Sequence, residues 1–269
     1  MKEEKVRKMV REGYGKIAAS EKCGCGCGCG SNVSENIGYS RDELDSVPEG
    51  ADLNLGCGNP VALASLKEGD TVVDLGSGGG LDCFLAAKKV GAKGSVIGVD
   101  MTAEMLDKAR DNCRRGRYKN VEFRLGEIEN LPVADGTADV IISNCVINLS
   151  SNKQRVFNEV FRVLKPGGQL MISDMVLLNE LSETIRNSVQ AYVGCISGAE
   201  MKTTYIKMIE NAGFKQVKIV GETHLPLELM LSDATAKAIL TELDLTDKRA
   251  AELINSVISI RISATKPHT

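Results

Sequence analysis

The first chemistry this sequence offers is that of sulfur. Residues 22–30 read KCGCGCGCG, placing Cys23, Cys25, Cys27 and Cys29 each before a glycine. Sulfur is a soft donor and glycine frees the backbone, so the string suits either wrapping a thiophilic atom or standing in solvent as a tail. Its C-x-C spacing differs from the C-x2-C of structural zinc sites. Of the other cysteines, Cys83 in LDCFLAAKKV and Cys113 in DNCRRGR read as small buried hydrophobes on helices. Cys57 in NLGCGNP, Cys145 in SNCVINL and Cys195 in AYVGCISGA complete the set, and Cys145 falls directly after an apolar run, ADVIISN. The two histidines, His224 and His268, come late and outside every motif, which leaves little room for Cys–His or Ser–His catalysis.

A second cluster is DLGSGGG (74–80), set after an apolar run and before a helix-forming stretch. Glycines there let the backbone close in on a ligand, and a helix N-terminus supplies amides, so a small-molecule pocket is expected. The dinucleotide fingerprint fails, because Leu81 stands where its third glycine or alanine belongs. What remains is an acid, Asp74, leading into Gly76, Ser77, Gly78 and Gly80.

These groups need elements to place them. From residue 70 onward short apolar runs alternate with helical stretches: TVVDL, LDCFLAAKKV, SVIGVD, a helix over about 102–115, VEFRLG, ADVIISN, the helix NKQRVFNEVFRVLK, the turn Pro166-Gly167-Gly168, then QLMISDM. This rhythm implies βαβ units, helices on both faces of a mostly parallel sheet, and an α/β Rossmann-like architecture. Helices are expected at 182–196 and 202–213, two closing strands at FKQVKIV and SVISIRISA, and a mostly helical insertion near 225–254. Residues 1–69 read as an amphipathic helix, the cysteine–glycine string and a loop-rich lid, with Ser40 and Glu43 forming a capping box and Asn59-Pro60 starting a helix. Residues 70–269 form the main domain.

Composition narrows the partners. The chain has 269 residues, 43% of them hydrophobic, enough for one sizeable core with appendages. A net charge of -3 gives no basic footprint for nucleic acid. No segment reads as a membrane span, and the opening residues lack the basic and apolar pattern of a signal peptide. Nine cysteines, an odd number, then indicate reduced thiols in the cytoplasm rather than a disulfide framework. The chain is expected to act as a monomer.

The acid and glycine stretch resembles motif I of the class I S-adenosylmethionine (SAM) methyltransferases, which fold around a seven-stranded sheet. The resemblance implies SAM as cofactor, with Asp74, Gly76, Ser77, Gly78 and Gly80 around its amino-acid end. It also implies Asp100 on the ribose hydroxyls, Met101 on the adenine face, Glu127 and Ile128 near the adenine amine, and Asn144 beside the methyl. LKPGG (164–168) and the two closing strands agree with it. The D/N-P-P-Y stretch of amino methyltransferases is absent after the fourth strand, as are the proline and basic surface of cytosine C5 methyltransferases.

SNCVINL, NLGCGNP, LGSGGGLDC, AYVGCISGA and VREGYGKIA together resemble the arsenite SAM methyltransferases, along residues 6 to 220, and the shorter prokaryotic members most. Where that family often carries two tyrosines this chain has Gly13 and Tyr14, and a ladder of four cysteines replaces a single N-terminal one. The resemblance implies Cys145 and Cys195 as arsenic ligands with Cys57 as a third thiol, Cys27 and Cys29 as further donors, and arsenite or methylarsenite as substrate.

Trivalent arsenic prefers a pyramid of thiolates and keeps a lone pair opposite them, so positioning replaces a general base. Cysteine thiols near pKa of about 8.5 must give up protons on binding. Because methyl transfer leaves pentavalent arsenic, a thiol reductant of the thioredoxin or glutathione type, with its reductase, is expected as co-substrate. The string at 23–29 could deliver arsenite, pair with Cys57 during re-reduction, or do neither. A methyltransferase for a small organic acceptor and a non-catalytic thiol metalloid binder are the competing readings.

Overall fold

The computed structural model describes residues 3–19, 33–60, 65–181, 183, 197–224 and 256–268. The expected helix at 182–196, the insertion near 225–254 and the cysteine–glycine string fall outside the described residues, residue 183 apart. Helix α1 covers Glu3–Ala19, and two short helices follow, α2 (Val33–Asn36) and α3 (Arg41–Asp45). The capping box at α3 forms as its sequence implies: the Ser40 hydroxyl accepts from the Glu43 amide, and the Glu43 carboxylate accepts from the Ser40 amide.

The main body alternates β1 (Thr71–Leu75), α4 (Leu81–Val90), β2 (Ser95–Asp100), α5 (Ala103–Gly116), β3 (Val121–Leu125), β4 (Ala138–Asn144), α6 (Lys153–Val163) and β5 (Leu164–Leu177). Then come α7 (Lys202–Asn211), β6 (Lys215–His224) and β7 (Val257–Thr265). The seven strands lie in the order β3-β2-β1-β4-β5-β7-β6. The first five pair in parallel, and β7 runs antiparallel between β5 and β6. This is the class I methyltransferase sheet, with the reversed final pair anticipated from the sequence.

Because successive strand residues point to opposite faces, the apolar runs feed two cores. Val73, Leu75 and Ile141 pack with Phe157 of α6, Tyr205 of α7 and Phe214. Val72, Val140 and Ile142 face the other way, onto Phe84 of α4 and Leu106 of α5. A third cluster sits where strands end: Val6 and Val10 of α1 meet Cys57, Leu149, Met175 and Val257. Thus α1 is tied to the site end of the sheet.

Two details depart from the expectations. Pro166-Gly167-Gly168 is not a turn ahead of a strand: β5 runs through it, with the register against β4 broken between Ala138 and Val140. The backbone of the C-terminal segment holds it there, since the Gly167 amide donates to the Lys266 carbonyl and the Lys266 amide to the Gly168 carbonyl. Cys113, expected to be buried, is half-exposed, its thiol lying 3.5 Å from the Tyr118 carbonyl at the end of α5.

Candidate active site

The glycine loop lies at the carboxyl ends of β1 and β2, the end of the sheet at which ligands of open α/β folds bind. Its backbone is fixed by the Gly76 and Ser77 amides, which donate to the Val99 carbonyl at 2.8 and 3.1 Å, and by the Gly80 amide, which donates to the Ser77 carbonyl at 2.8 Å. Asp100, at the end of β2, accepts from the Gly78 amide (3.0 Å) and the Thr102 amide (2.8 Å). At Gly78, with φ +50°, a Cβ would meet nothing within 4 Å, so the loop leaves an open cradle there. The buried Ser77 hydroxyl has no hydrogen-bond partner among the described residues.

The other expected pocket residues are placed differently from one another. Met101 is half-buried and packs at the edge of the cluster that holds α1 and Cys57. Glu127 pairs with Arg7 of α1 at 3.1 Å, and Ile128 is buried in the larger core. Asp74 is buried near the end of β1, where the Cys83 thiol donates to it at 3.2 Å. Cys83 is fully buried as expected, yet its sulfur has a polar task that its helical context did not signal.

Asn144 ends β4 and turns its amide toward residues 57–58: Oδ1 accepts from the Cys57 amide (3.1 Å), and Nδ2 donates to the Gly58 carbonyl (2.7 Å) and the Tyr39 hydroxyl (2.9 Å). Tyr39 donates in turn to Asp82 of α4 at 2.7 Å. Burial and then the Asp82 charge push the Asp74 carboxyl well above its usual range. Burial likewise raises Asp82 to about 6, against the hydrogen bonds from Tyr39 and Asn144.

Next to this network lies a sulfur centre. Cys145 takes φ +56°, a left-handed conformation that costs an L residue roughly 1–2 kcal/mol. Its amide donates to the Ser173 carbonyl at 2.8 Å, which locks the turn after β4 to β5. Cys57 is held by its backbone at both ends, because the Ser259 hydroxyl of β7 donates to its carbonyl at 2.7 Å. The two Sγ atoms and a carboxylate oxygen of Asp174 lie within 4.8 Å of one another. Cys195, Cys27 and Cys29 fall outside the described residues.

The family model described as a methyltransferase domain matches residues 66–213. This chain belongs to the methyltransferase domain family. The chain is 49% identical over 230 residues to an arsenite methyltransferase of Halobacterium salinarum, a match covering 80% of this chain and 59% of that one. It is 42% identical over 182 residues to an arsenite methyltransferase of Aquipseudomonas alcaligenes, covering 65% and 52%. It therefore spans between half and three fifths of the length of these curated relatives. Its fold also matches the crystal structure of an arsenic(III) S-adenosylmethionine methyltransferase from Chlamydomonas reinhardtii, with a TM-score of 0.62 and 29% identity, covering 89% of this chain and 74% of that one.

Asp174 is the site residue that the sequence pattern alone did not single out. It sits inside β5, fully buried, and accepts from Asn148 Nδ2 (2.8 Å), the Tyr205 hydroxyl (2.8 Å) and the Met175 amide (2.9 Å). Burial raises its carboxyl to about 6, against the Tyr205 hydroxyl and the Met175 amide. The signal was available: an acid within the otherwise apolar run LMISDMVL needs partners, and a buried charge without them is costly. Two thiols beside a buried carboxylate form a donor set suited to one thiophilic atom.

Proposed function

We propose that this methyltransferase moves a methyl group from S-adenosylmethionine to trivalent arsenic held by Cys57 and Cys145, with Cys195 as the third thiol. The observation that carries the reading is the convergence of Cys57 and Cys145, 88 positions apart by 145 − 57, beside the turn that follows β4. The named relatives agree with it, over the part of their length that this chain spans.

The glycine-loop pocket fits the cofactor: the cradle at Gly78 is open, the Ser77 hydroxyl is unspent among the described residues, and Asp100 offers a carboxylate at the strand end. The cofactor supplies an electrophilic methyl on sulfur. The residues of the chain do the rest by holding and excluding. As each thiol binds arsenite, an As–S bond replaces an As–OH bond, and the thiol proton leaves with the hydroxide as water. Burial of Cys57 and the apolar wall of Leu149, Met175 and Val257 keep bulk water from the centre. With sulfur on one side of arsenic, its lone pair is left on the other, and alignment of the two partners is worth up to roughly 7–11 kcal/mol in favourable cases. Methylation oxidises arsenic from the trivalent to the pentavalent state. Two thiols of the chain closing to a disulfide return the electron pair, and a thioredoxin- or glutathione-type reductant reopens it. Free thiols at Cys57 and Cys145 suit a reducing compartment such as the cytoplasm, and the proposed substrates are arsenite and methylarsenite.

The test is to incubate the purified chain with SAM, arsenite and a thiol reductant, and to look for methylarsenicals. Methylated product is expected from the wild type, and loss of more than the roughly 100-fold that a small misplacement costs is expected for Cys145→Ser. Undiminished product from Cys145→Ser would sink the mechanism and leave the fold untouched.

A further inference from the structure

Asn144 joins the two halves of the site, and its contacts run against the role its motif implies. Both hydrogens of its amide nitrogen are spent on protein, and its oxygen already takes one protein donor. Oδ1 takes the Cys57 amide at 3.1 Å, while Nδ2 serves the Gly58 carbonyl at 2.7 Å and the Tyr39 hydroxyl at 2.9 Å, with Asp82 Oδ2 at 3.5 Å. The loop is pressed onto this amide. Gly56 has φ +107°, and a Cβ there would come within 2.8 Å of both amide atoms of Asn144. Only glycine lets the backbone approach so closely. Because Asn144 is also the residue before Cys145, one side chain sets where the Cys57 backbone stands relative to the second thiol.

We infer that Asn144 is a positioning residue for the thiol centre rather than a cofactor ligand: it clamps the loop of residues 56–58 onto the end of β4 and so fixes the Cys57-to-Cys145 spacing. The inference rests on the proposed arsenic reading only for the identity of the atom the thiols take. Groups that orient ligands of a metal-type site typically contribute 10–100-fold to its affinity. A clamp acts on the loop and leaves the glycine cradle standing, so its loss separates the two binding events.

Asn144→Ala is expected to speed hydrogen exchange of the amides of residues 54–59 and to weaken arsenite binding by roughly 10–100-fold. Exchange over residues 76–80 should stay as in the wild type, and the dissociation constant for SAM within about twofold. Gly56→Ala should give the same pattern from the loop side with Asn144 intact, and it keeps the inference testable if Asn144→Ala folds poorly. Adding the second substitution to the first should then change little, since both undo one contact. Unchanged exchange over 54–59 in these variants overturns the inference, as does a loss of SAM affinity larger than the loss of arsenite affinity. Should the wild type itself take up no arsenite, the proposed function fails and the exchange measurement alone decides the clamp.

Discussion

The two halves of the site are built on opposite plans. The glycine-loop half is made of backbone: residues 76–80 sit between two adjacent strand ends, and Asp100 closes it across a separation of 22 residues. The thiol half is made of side chains brought from the whole chain, with Cys57 held by Asn144 across 87 residues and by Ser259 across 202. A backbone cradle depends on a local pattern and tolerates its surroundings. A side-chain centre depends on every strand that feeds it, so it is the half where distant changes should be felt.

The strongest way to press that contrast is through Asp174. Its pKa stands near 6 in the folded protein against an ordinary 3.8. Folding therefore takes up a proton between those values: the stabilisation is full below about pH 4 and lost as pH climbs through about 6, a swing of about 3 kcal/mol. Asparagine has no such dependence. Asp174→Asn should gain on the wild type by up to about 3 kcal/mol between about pH 4 and about pH 7, read from urea unfolding at both. A difference that does not move with pH would mean the thiol half is far wetter than the burial of Asp174 implies.

A smaller effect is expected in the backbone half. Asp100→Asn turns an N–H group toward the Gly78 or Thr102 amide that the carboxylate now accepts from. Hydrogen bonds to charged groups contribute about 1.5–3 kcal/mol, so SAM should bind about 2 kcal/mol more weakly while arsenite uptake stays as in the wild type. Equilibrium dialysis with each ligand separately checks this. A matching loss of arsenite affinity would break the division between the halves.

The same division explains what the sequence made legible. Strands and helices from residue 70 onward follow from alternating apolar runs, and DLGSGGG announces its pocket because glycine and acid are adjacent in the chain. The path of β5 through Pro166-Gly167-Gly168 was hidden, since its partner backbone lies about 100 residues away at Lys266. Cys83 looked inert because nothing near it in sequence shows that Asp74 lies 3.2 Å from its sulfur. Asp174 was passed over for the same reason: its value comes from Asn148, Tyr205 and two thiols, none of them its neighbours in the chain. Cys57 and Cys145 were found through a resemblance, and their spacing only through the fold.

The gentlest probe is Ser259→Ala, and it is informative because it is gentle. Ser259 is buried in β7, and its hydroxyl donates to the Cys57 carbonyl at 2.7 Å. Removing the hydroxyl deletes one neutral hydrogen bond, about 1 kcal/mol, while Asn144 still holds the amide side of the same residue. Arsenite affinity should then fall by roughly fivefold, less than for Asn144→Ala, with SAM affinity unchanged. The ordering is what matters. If Ser259→Ala weakens arsenite binding as much as Asn144→Ala, the loop swings as a unit on either contact and the clamp is shared between β4 and β7. If it has no effect at all, the Cys57 carbonyl finds another donor, and the amide side alone sets the distance between the thiols.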